Sequence, residues 1–457
     1  MPLDIGRNGI VQRLEGGKTT IYRPGKNGGA GAEIDVPEDL ADTFRLATGD
    51  VVEGETEPIK VELALDHDDD PESRFDWDLQ VDEPSALRSM PVRATPAARR
   101  APAERLIRVI SINGLRLTDA EDRPFPRTKR SRTERVTPHR WLKLAATANS
   151  ITGRLLDFAV PLGAGDFGVI YGPHGSGLTR TLQTAFDGIA SIAPDCVLLV
   201  LLLRPRAEEI TEWRNRIPRA DIVVGASEFA EGSPAETLRL CTLMLETAQR
   251  QTELGHDVVL LIDSLTTLWG AMLEAEEADA QQEADNSASR RRIREWAQKA
   301  GCFHGEGPLG GGLGGSLTIL GTVWNQGTDL EAEEERDLHP HLRLLEHLLP
   351  ESSWRVSLSE TLKQRRLYPA IDVKECRTQY EEKLLPEEIL ERLLTVRGAL
   401  PRRDPVAVHL RVMEALEYSR DLSGFLAQLD ALNEAAKDES VGPAAASRLW
   451  LPIDAME

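Results

Sequence analysis

The middle of the chain alternates between short apolar runs and longer segments with helical spacing. The apolar runs are Val169–Tyr171, Cys196–Leu203, Ile222–Val224, Val258–Ile262 and Leu317–Gly321. Such runs are typical of strands that are buried on both faces of a sheet. The helical segments between them are Thr179–Ile192, Ala235–Leu254 and Asp285–Ala300. This alternation predicts an α/β domain with a parallel sheet covered by helices.

The N-terminal part has a different pattern. Residues 1 to about 57 contain short strands and turns, including a turn at Gly16–Gly17, which predict a small β-barrel. Residues 58–104 are poor in apolar side chains and rich in charge blocks, proline and alanine, which is typical of a linker or a disordered insertion. Leu106–Leu117 then alternates like a strand that returns to the barrel.

Four segments follow from these changes of pattern. We expect a barrel at residues 1–118 that contains the 58–104 insertion, a basic connector at 119–150, and the α/β domain at 151–385. Residues 386–457 have helical spacing and predict a C-terminal helical segment.

A glycine-rich turn follows the first apolar run of the α/β domain. Gly172, Gly177 and Thr179 have the spacing of the phosphate-binding motif G-x-x-x-x-G-K-[ST], and Gly175 lies inside the turn. Such glycines let backbone N–H groups surround an anion at the N-terminus of the next helix. Leu178 stands where the motif has its lysine. The sequence therefore predicts a nucleotide-binding loop that has lost its fixed cation.

Asp263 follows the apolar run Val258–Ile262. An aspartate at the end of a buried strand, downstream of a phosphate loop, typically orients Mg²⁺ through water, while the loop threonine holds the metal directly. Thr179 and Asp263 are therefore the candidate magnesium residues, and ATP with Mg²⁺ is the candidate ligand.

The chain carries 75 acidic and 54 basic side chains and has a net charge of −21. An acidic protein binds nucleic acid only through a segregated basic patch, because phosphate contacts need local lysine and arginine. The most basic run is Arg123–Lys143, in which Arg127, Lys129, Arg130 and Arg132 are the candidate RNA-binding residues. The alternative interpretation is a basic connector that faces acidic neighbours.

The four cysteines, Cys196, Cys241, Cys302 and Cys376, lack C-x-x-C spacing. This favours reduced thiols in a cytoplasmic protein over zinc ligands or disulfides. The sequence has neither a signal-peptide pattern nor an uncharged apolar run of transmembrane length, so we expect no membrane contact.

Several longer stretches resemble the bacterial transcription termination factor Rho family. They are PDCVLLVLLLRPRAEEITEW, DVVLLIDSLTTL, GGSLTILGTVWNQGT, LSETLKQRRLYPAID, the N-terminal IDVPEDLADTFRLATGDVVEGE, and VTPHR at Val136–Arg140. The resemblance runs in the same order from about Gly9 to Leu385. It implies an OB-like, RNA-binding barrel, a RecA-type P-loop ATPase domain, and a ring of six subunits that pulls on RNA. On this alignment residues 58–104 are an insertion inside the barrel.

The resemblance also implies catalytic positions, which this chain fills differently. The phosphate-binding lysine falls on Leu178, and the glutamate that polarises the attacking water falls on Pro205. The arginine that reaches across the subunit boundary falls on Glu360. An arginine of this kind is worth roughly 10³ to 10⁵ in rate, so these substitutions predict a loss of ATP hydrolysis.

The RNA-contacting positions that the resemblance implies have changed as well. The base-stacking aromatic residues of the barrel fall on Lys18, Thr20 and Asp35. The RNA-gripping lysine of the central channel falls on Asp329. Stacking on an aromatic ring is worth about 1–3 kcal/mol per base, so we expect a weak grip on RNA.

Two interpretations remain. One is a divergent RNA-dependent ATPase that terminates transcription. The other, which the substitutions favour, is a Rho-like paralogue that binds nucleotide weakly, has lost hydrolysis and has a regulatory or structural role. Possible partners are RNA, further copies of the chain in a hexamer, a true Rho in a mixed ring, and the RNA polymerase machinery. A secretion or rotary ATPase would share the core but not the N-terminal and VTPHR stretches.

Overall fold

The computed structural model describes residues 9–14, 17–23, 32–59, 104–116, 134–147, 150–216, 222–226, 233–279, 287–304, 315–325, 344–401 and 404–437. Most of the predicted insertion at 58–104 lies outside these ranges. So do Asp329 and all four candidate RNA-binding residues, Arg127, Lys129, Arg130 and Arg132. Within the described ranges, no helix combines the length and the apolar character that crossing a membrane requires.

Six strands near the N-terminus form the predicted small barrel. They are β1 (Gly9–Arg13), β2 (Thr19–Arg23), β3 (Ala32–Val36), β4 (Val51–Pro58), β5 (Glu104–Ile112) and β6 (Leu115–Arg116), with helix α1 (Glu38–Thr43) between β3 and β4. They are ordered β3–β2–β1–β4–β5–β6, and a parallel pairing of β3 with β5 closes the barrel. Ile21, Ile34 and Ile112 are buried in its core. The predicted barrel is confirmed.

The remaining strands belong mainly to one larger sheet. They are β7 (Glu134–Val136), β8 (Trp141–Leu142), β9 (Leu162–Gly163), β10 (Phe167–Pro173), β11 (Val197–Leu203), β12 (Ile222–Ala226), β13 (Val258–Asp263), β14 (Gly301–His304), β15 (Ser316–Asn325), β16 (Trp354–Ser357) and β17 (Arg377–Thr378). The order β12–β11–β13–β15–β10–β16 is parallel throughout, and β17 is antiparallel at the β16 edge. Strand β14 pairs antiparallel with the start of β15 and with β7. Strands β8 and β9 form a separate pair.

All five predicted apolar runs lie in this parallel sheet. The strand predicted at Cys196–Leu203 is β11, and it lies between β12 and β13, as expected for a run that is apolar on both faces. The sixth parallel strand, β16, was not predicted. Its only large apolar residues, Trp354 and Val356, are interrupted by Arg355, which is too short a pattern to identify a strand.

The helices of the α/β domain cover both faces of the sheet. They are α2 (Ile151–Ala159), α3 (Leu178–Ile192), α4 (Ala207–Arg216), α5 (Pro234–Glu253), α6 (Leu265–Asp279), α7 (Ser287–Ala297) and α8 (Leu344–Leu348), which a 3₁₀ turn (Leu349–Glu351) follows. Helix α7 begins two residues after the predicted Asp285. The Glu276 carboxylate accepts the backbone N–H groups of Ala288 (3.2 Å) and Ser289 (2.7 Å), and so caps the helix at that point.

The predicted C-terminal helices pack into the core of the α/β domain. They follow α9 (Glu360–Gln364) and α10 (Glu381–Leu384), and they are α11 (Glu387–Ala399), α12 (Pro405–Glu417) and α13 (Leu422–Lys437). Val396 and Phe425 are buried in the same apolar cluster as Phe158 of α2. The rings of Phe158 and Phe425 meet edge to face at 4.8 Å. These helices therefore cover one face of the sheet.

Buried polar contacts join the barrel to α5. Asn113 Oδ1 accepts hydrogen bonds from the Val51 N–H (2.8 Å) and from Gln251 Nε2 (3.2 Å). Asn113 Nδ2 donates to Asp50 Oδ1 (3.0 Å). Because buried polar groups are costly when unpaired, these bonds hold the barrel in one position against the helix.

A buried carboxyl group at the start of β10 makes stability depend on pH. Asp166 is fully buried and accepts hydrogen bonds from Ser353 Oγ (2.6 Å) and from the Gly163 N–H (2.7 Å). Burial raises the pKa of Asp166 to about 6, although these hydrogen bonds lower it in part. The unfolded chain ionises first, so the stabilisation is complete below the unfolded pKa and is lost as the pH rises through about 6.

We expect the free energy of unfolding of the unmodified protein, relative to that of Asp166→Asn, to fall by at most about 3 kcal/mol as the pH rises through this window. Urea titrations at several pH values measure this difference. The matched control is Asp195→Asn, at an exposed position. A difference between the unmodified protein and Asp166→Asn that does not change with pH would contradict the prediction.

Candidate functional site

The glycine loop lies at the carboxyl edge of the parallel sheet. Strand β10 ends at Pro173 and α3 begins at Leu178, so the loop joins a central strand to a helix N-terminus. Strand β10 is flanked by β15 and β16, both parallel to it. Ligands of open α/β sheets bind outside the carboxyl ends of the strands, which is where this loop lies.

Two loop glycines have backbone conformations that other residues rarely adopt. Gly175 has φ 76° and Gly177, the residue before α3, has φ 101°. Apart from the glycine itself and its two chain neighbours, no atom of the described residues lies within 4 Å of the position that a Cβ would take at either glycine. The glycines are therefore required by conformation and not by crowding, and the space beside the loop is open.

Two polar atoms near the loop have no partner among the described residues. The Ser176 side chain is 1% exposed, and its hydroxyl makes no hydrogen bond there. Asn325, whose Oδ1 is also unpaired, stands beside Pro173 where β15 and β10 pair. Buried polar groups are normally satisfied, so these atoms fit a loop that receives a polar ligand.

The predicted pair Thr179 and Asp263 is brought together. Thr179 Oγ1 donates to Asp263 Oδ2 (2.8 Å), and Thr322 Oγ1 donates to Asp263 Oδ1 (2.6 Å). Burial raises the pKa of Asp263, while the two hydroxyl donors oppose that shift. Thr322 lies on β15 between β13 and β10, and sequence reasoning missed it because only the strand order places it there.

Leu178 directs no charge into the loop. Its partly buried side chain packs against the apolar cluster that α2, α3 and the C-terminal helices share. The nearest basic residue along α3, Arg180, is exposed and donates to Glu212 of α4 (3.2 Å). Arg180 therefore does not replace the missing lysine.

The end of β11 carries no carboxylate. Arg204 has φ 53°, and the next residue, Pro205, is buried. In the following turn, Glu209 accepts the Arg206 N–H (3.0 Å) and so caps α4. The residue types at 204 and 205 therefore leave this strand end without an acidic side chain.

Glu360 lies at the start of α9 and is paired within that helix. Lys363 Nζ donates to both carboxylate oxygens of Glu360 (3.1 and 3.2 Å).

The segment after α9 returns to the glycine loop, where the Tyr368 hydroxyl donates to the Gly175 carbonyl (3.4 Å). Tyr368 is 51% exposed. In the sequence this residue belongs to a stretch that was noted only for its resemblance to the Rho family, and the fold adds its aromatic ring beside the loop.

Lys18, Thr20 and Asp35 stand at the barrel positions where the family resemblance implies aromatic residues. Lys18 and Asp35 are charged, and Thr20 is buried. Lys18 pairs with Asp35 (3.4 Å), and Arg105 reaches the other Asp35 oxygen (3.8 Å). Thr20 is buried, and its hydroxyl is unpaired among the described residues. None of the three predicted positions offers an aromatic face.

The four cysteines are buried free thiols, and the described residues contain no cluster of metal-binding side chains.

Comparison with models of known protein families finds no match. Similar solved structures include a prototypical ATPase from the type III secretion system of pathogenic bacteria, at 15% identity and a TM-score of 0.48 over 65% of this chain and 86% of that one. Another is the assembled ATPase EscN of enteropathogenic E. coli, at 14% identity and a TM-score of 0.49 over 70% of this chain and 80% of that one. These scores are too low to indicate a function.

Curated proteins of similar sequence include several transcription termination factors Rho. The transcription termination factor Rho of Streptosporangium roseum is 34% identical over 313 residues, which are 67% of this chain and 74% of that protein. The Rho of Streptomyces coelicolor is 30% identical over 326 residues, 70% of this chain and 72% of that protein. The Rho of Mycobacterium tuberculosis is 27% identical over 340 residues, and the chain spans about half of its length (52%). With its barrel, its parallel sheet and its glycine loop, the chain belongs to the transcription termination factor Rho family.

Proposed function

We propose that this Rho-family chain associates with RNA and holds a magnesium nucleotide weakly at the glycine loop without hydrolysing it, as a regulatory or structural component. One observation carries the proposal. The loop keeps its glycine conformations and the Thr179–Asp263 pair, while the partly buried Leu178 side chain packs against the core at the position where a lysine would face the phosphates.

The retained groups fit a nucleotide. The backbone N–H groups at the start of α3 offer a polyphosphate its hydrogen bonds and the positive end of the helix dipole. The orphaned Ser176 hydroxyl and the open space beside Gly175 are consistent with a ligand there. Thr179 and Asp263 would hold Mg²⁺, which supplies charge neutralisation for the phosphates when bound. The exposed ring of Tyr368 offers a base a stacking surface.

The missing groups are those that turnover needs. Leu178 removes the cation that stabilises the β- and γ-phosphates. Pro205 has neither a side-chain oxygen nor a backbone N–H with which to activate water. Glu360 places an anion where the family resemblance implies a cation. Loss of one preorganised electrostatic group costs roughly 10² to 10³ in rate, and three such losses together leave no measurable turnover.

The second candidate is a divergent but active RNA-dependent ATPase that terminates transcription. Membership of the Rho family and the retained Thr179–Asp263 pair favour it. Family membership also motivates the partners that we propose, namely RNA, a homo-hexamer or a mixed ring with a true Rho, and the RNA polymerase machinery. We further propose a cytoplasmic location and domain limits at about 118, 150 and 385.

Purified protein should release phosphate from MgATP at the background rate, with or without a pyrimidine-rich RNA. The physical reason is the simultaneous loss of the cation, the base and the trans arginine. Steady-state phosphate release and equilibrium binding of a fluorescent ATP analogue together check both halves of the proposal. The matched control is Asp263→Asn, which removes the metal-orienting carboxylate. Robust turnover that Asp263→Asn abolishes would show that the chain is an active ATPase and would contradict the proposal.

A further inference from the structure

Two arginines at the carboxyl end of β11 carry side chains that take no part in holding the fold together. Arg204 follows the last residue of the strand, Arg206 stands just before α4, and both side chains are exposed. Among the described residues, no hydrogen bond or ion pair engages the guanidinium group of either. Arginine is charged at any physiological pH. This strand end therefore presents positive charge that the described part of the chain does not pair.

The strand register places Arg204 close to the Thr179–Asp263 pair. Leu202 of β11 lies opposite Asp263 of β13 in the parallel ladder, two residues before Arg204. With neighbouring strands about 4.8 Å apart and a rise of about 3.3 Å per residue, the Cα atoms of Arg204 and Asp263 lie roughly 8 Å apart. An extended arginine side chain spans about 7 Å. Arg204 is therefore within one side-chain length of the two residues proposed to hold magnesium.

The chain after Arg204 turns toward the helix that carries the glycine loop. Arg204 has φ 53°, which ends the strand and redirects the backbone into α4. Helix α4 then lies beside α3, since the rings of Trp213 and Phe186 meet edge to face at 5.9 Å. Arg180, in the first turn of α3, also contacts α4. Because α3 begins at the glycine loop, the turn that contains Arg204 lies on the same side of the sheet as the loop.

The strand order determines which end of a bound nucleotide would lie near Arg204. Strand β10, which leads into the glycine loop, has β16 on one side and β15, β13 and β11 on the other. Tyr368, whose ring is proposed to stack on the base, comes from the segment after β16 and reaches the Gly175 carbonyl (3.4 Å). The Thr179–Asp263 pair lies on the side of β13. The base end would therefore point to β16, and the terminal phosphate to β13 and β11.

Other cations around the loop are paired or lie at the base end. Arg180 donates to a glutamate of α4, and Lys363 donates to a glutamate of its own helix. Arg365 and Arg366 immediately precede Leu367 and Tyr368, so they enter from the side of β16. Among the described residues at the phosphate end, Arg204 is therefore the cation that register and exposure place best for a ligand.

We propose that Arg204 contacts the terminal phosphate of a nucleoside triphosphate held at the glycine loop, so that the site binds MgATP in preference to MgADP. A guanidinium group presents a fork of N–H donors that matches the geometry of a phosphate. A diphosphate ends one phosphate short and loses this contact. Arg204 has no proton acceptor, so it holds the phosphate without activating water. The triphosphate would then act on this chain as a regulatory ligand.

This inference rests on the proposed binding of nucleotide at the glycine loop. Isothermal titration calorimetry with a non-hydrolysable MgATP analogue and with MgADP tests it. The unmodified protein should bind the triphosphate about tenfold more tightly, at the lower end of the range for a charge-assisted hydrogen bond because the guanidinium is exposed. Arg204→Gln should lose this preference through weaker binding of the triphosphate, with MgADP binding unchanged. Arg204→Lys should keep part of the preference, because it keeps the charge but not the fork.

The matched control is Arg180→Gln. It removes the same charge from the first turn of α3, where the side chain is 70% exposed and pairs with Glu212 (3.2 Å). Its effect on the two nucleotides should be small and equal, which separates a direct contact from the general field of a nearby cation. Arg204 and Arg180 are both exposed, and thermal melting confirms that the variants fold.

Three outcomes would overturn the role of Arg204. One is a preference for the triphosphate that survives Arg204→Gln or that disappears in Arg206→Gln instead. Another is equal affinity of the unmodified protein for both nucleotides, which would leave the proposed nucleotide binding intact. The third is the absence of binding to either nucleotide, which would refute the proposed nucleotide binding as well.

Discussion

Leu178→Lys should bind MgADP and a non-hydrolysable MgATP analogue about tenfold to a hundredfold more tightly than the unmodified protein, while phosphate release stays at background. A hydrogen bond to a charged group is worth about 1.5–3 kcal/mol, which sets this range. The lysine stem can keep the apolar contact that Leu178 makes with the core, and its ammonium group can reach the loop. Turnover should not return, because Pro205 and Glu360 are unchanged.

Isothermal titration calorimetry measures the affinity, and a coupled phosphate assay measures turnover. Leu178→Met is the matched control, since it repacks the same side-chain position without adding charge. It should bind nucleotide as the unmodified protein does. An unchanged affinity in Leu178→Lys would show that the loop no longer accepts phosphates. Turnover restored by this single change would show that the remaining groups suffice for catalysis.

Arg397→Met should lower the free energy of unfolding by about 3–5 kcal/mol, the loss expected when one partner of a buried ion pair is removed. Arg397 of α11 donates to both oxygens of Glu381 (2.8 and 3.0 Å) and to the Phe158 carbonyl of α2 (2.9 Å). The side chains of Arg397 and Glu381 are only 18% and 14% exposed. Without the guanidinium, a largely buried carboxylate and a carbonyl lose their partner.

Equilibrium urea unfolding followed by tryptophan fluorescence measures this loss. Arg392→Met provides the control on the same helix. Arg392 faces Asp430 at 3.8 Å with both side chains 42% exposed, and such a pair is worth about 0–1 kcal/mol. Equal effects of the two substitutions would contradict the role that the structure gives to Arg397.

The parallel sheet was predictable because each of its long strands is apolar on both faces. A run such as Val258–Ile262 has no polar alternation, so only burial between two layers of helices satisfies it. Strand β16 was not predictable, since Trp354 and Val356 occupy a segment of four residues. The Trp354 indole donates to the Val160 carbonyl (2.7 Å), a contact between residues far apart in the chain.

Within the candidate site, local spacing was enough to identify the glycine loop. The positions of Gly172, Gly177 and Thr179 and the absence of lysine at Leu178 follow from the motif alone. Thr179 and Asp263 were expected at one magnesium site because an aspartate ends a buried strand downstream of the loop, and the structure places Thr179 Oγ1 2.8 Å from Asp263 Oδ2. Thr322, which also donates a hydrogen bond to Asp263, could not be predicted in this way. Its position beside Asp263 depends on β15 lying between β13 and β10, which the sequence does not reveal.

The sequence by itself determined the fold class, the phosphate-type loop and the residues that this loop lacks, because all three depend on local pattern and spacing. Only the tertiary structure decided where the changed side chains go. Leu178 packs against the core, Arg180 pairs with Glu212 on α4, and Tyr368 returns to the loop. The Tyr368 hydroxyl and the Gly175 carbonyl come from segments far apart in the chain, and so do Arg180 and Glu212. Only the packing of the helices against the sheet brings such groups together, which is why local pattern and spacing could not predict these contacts.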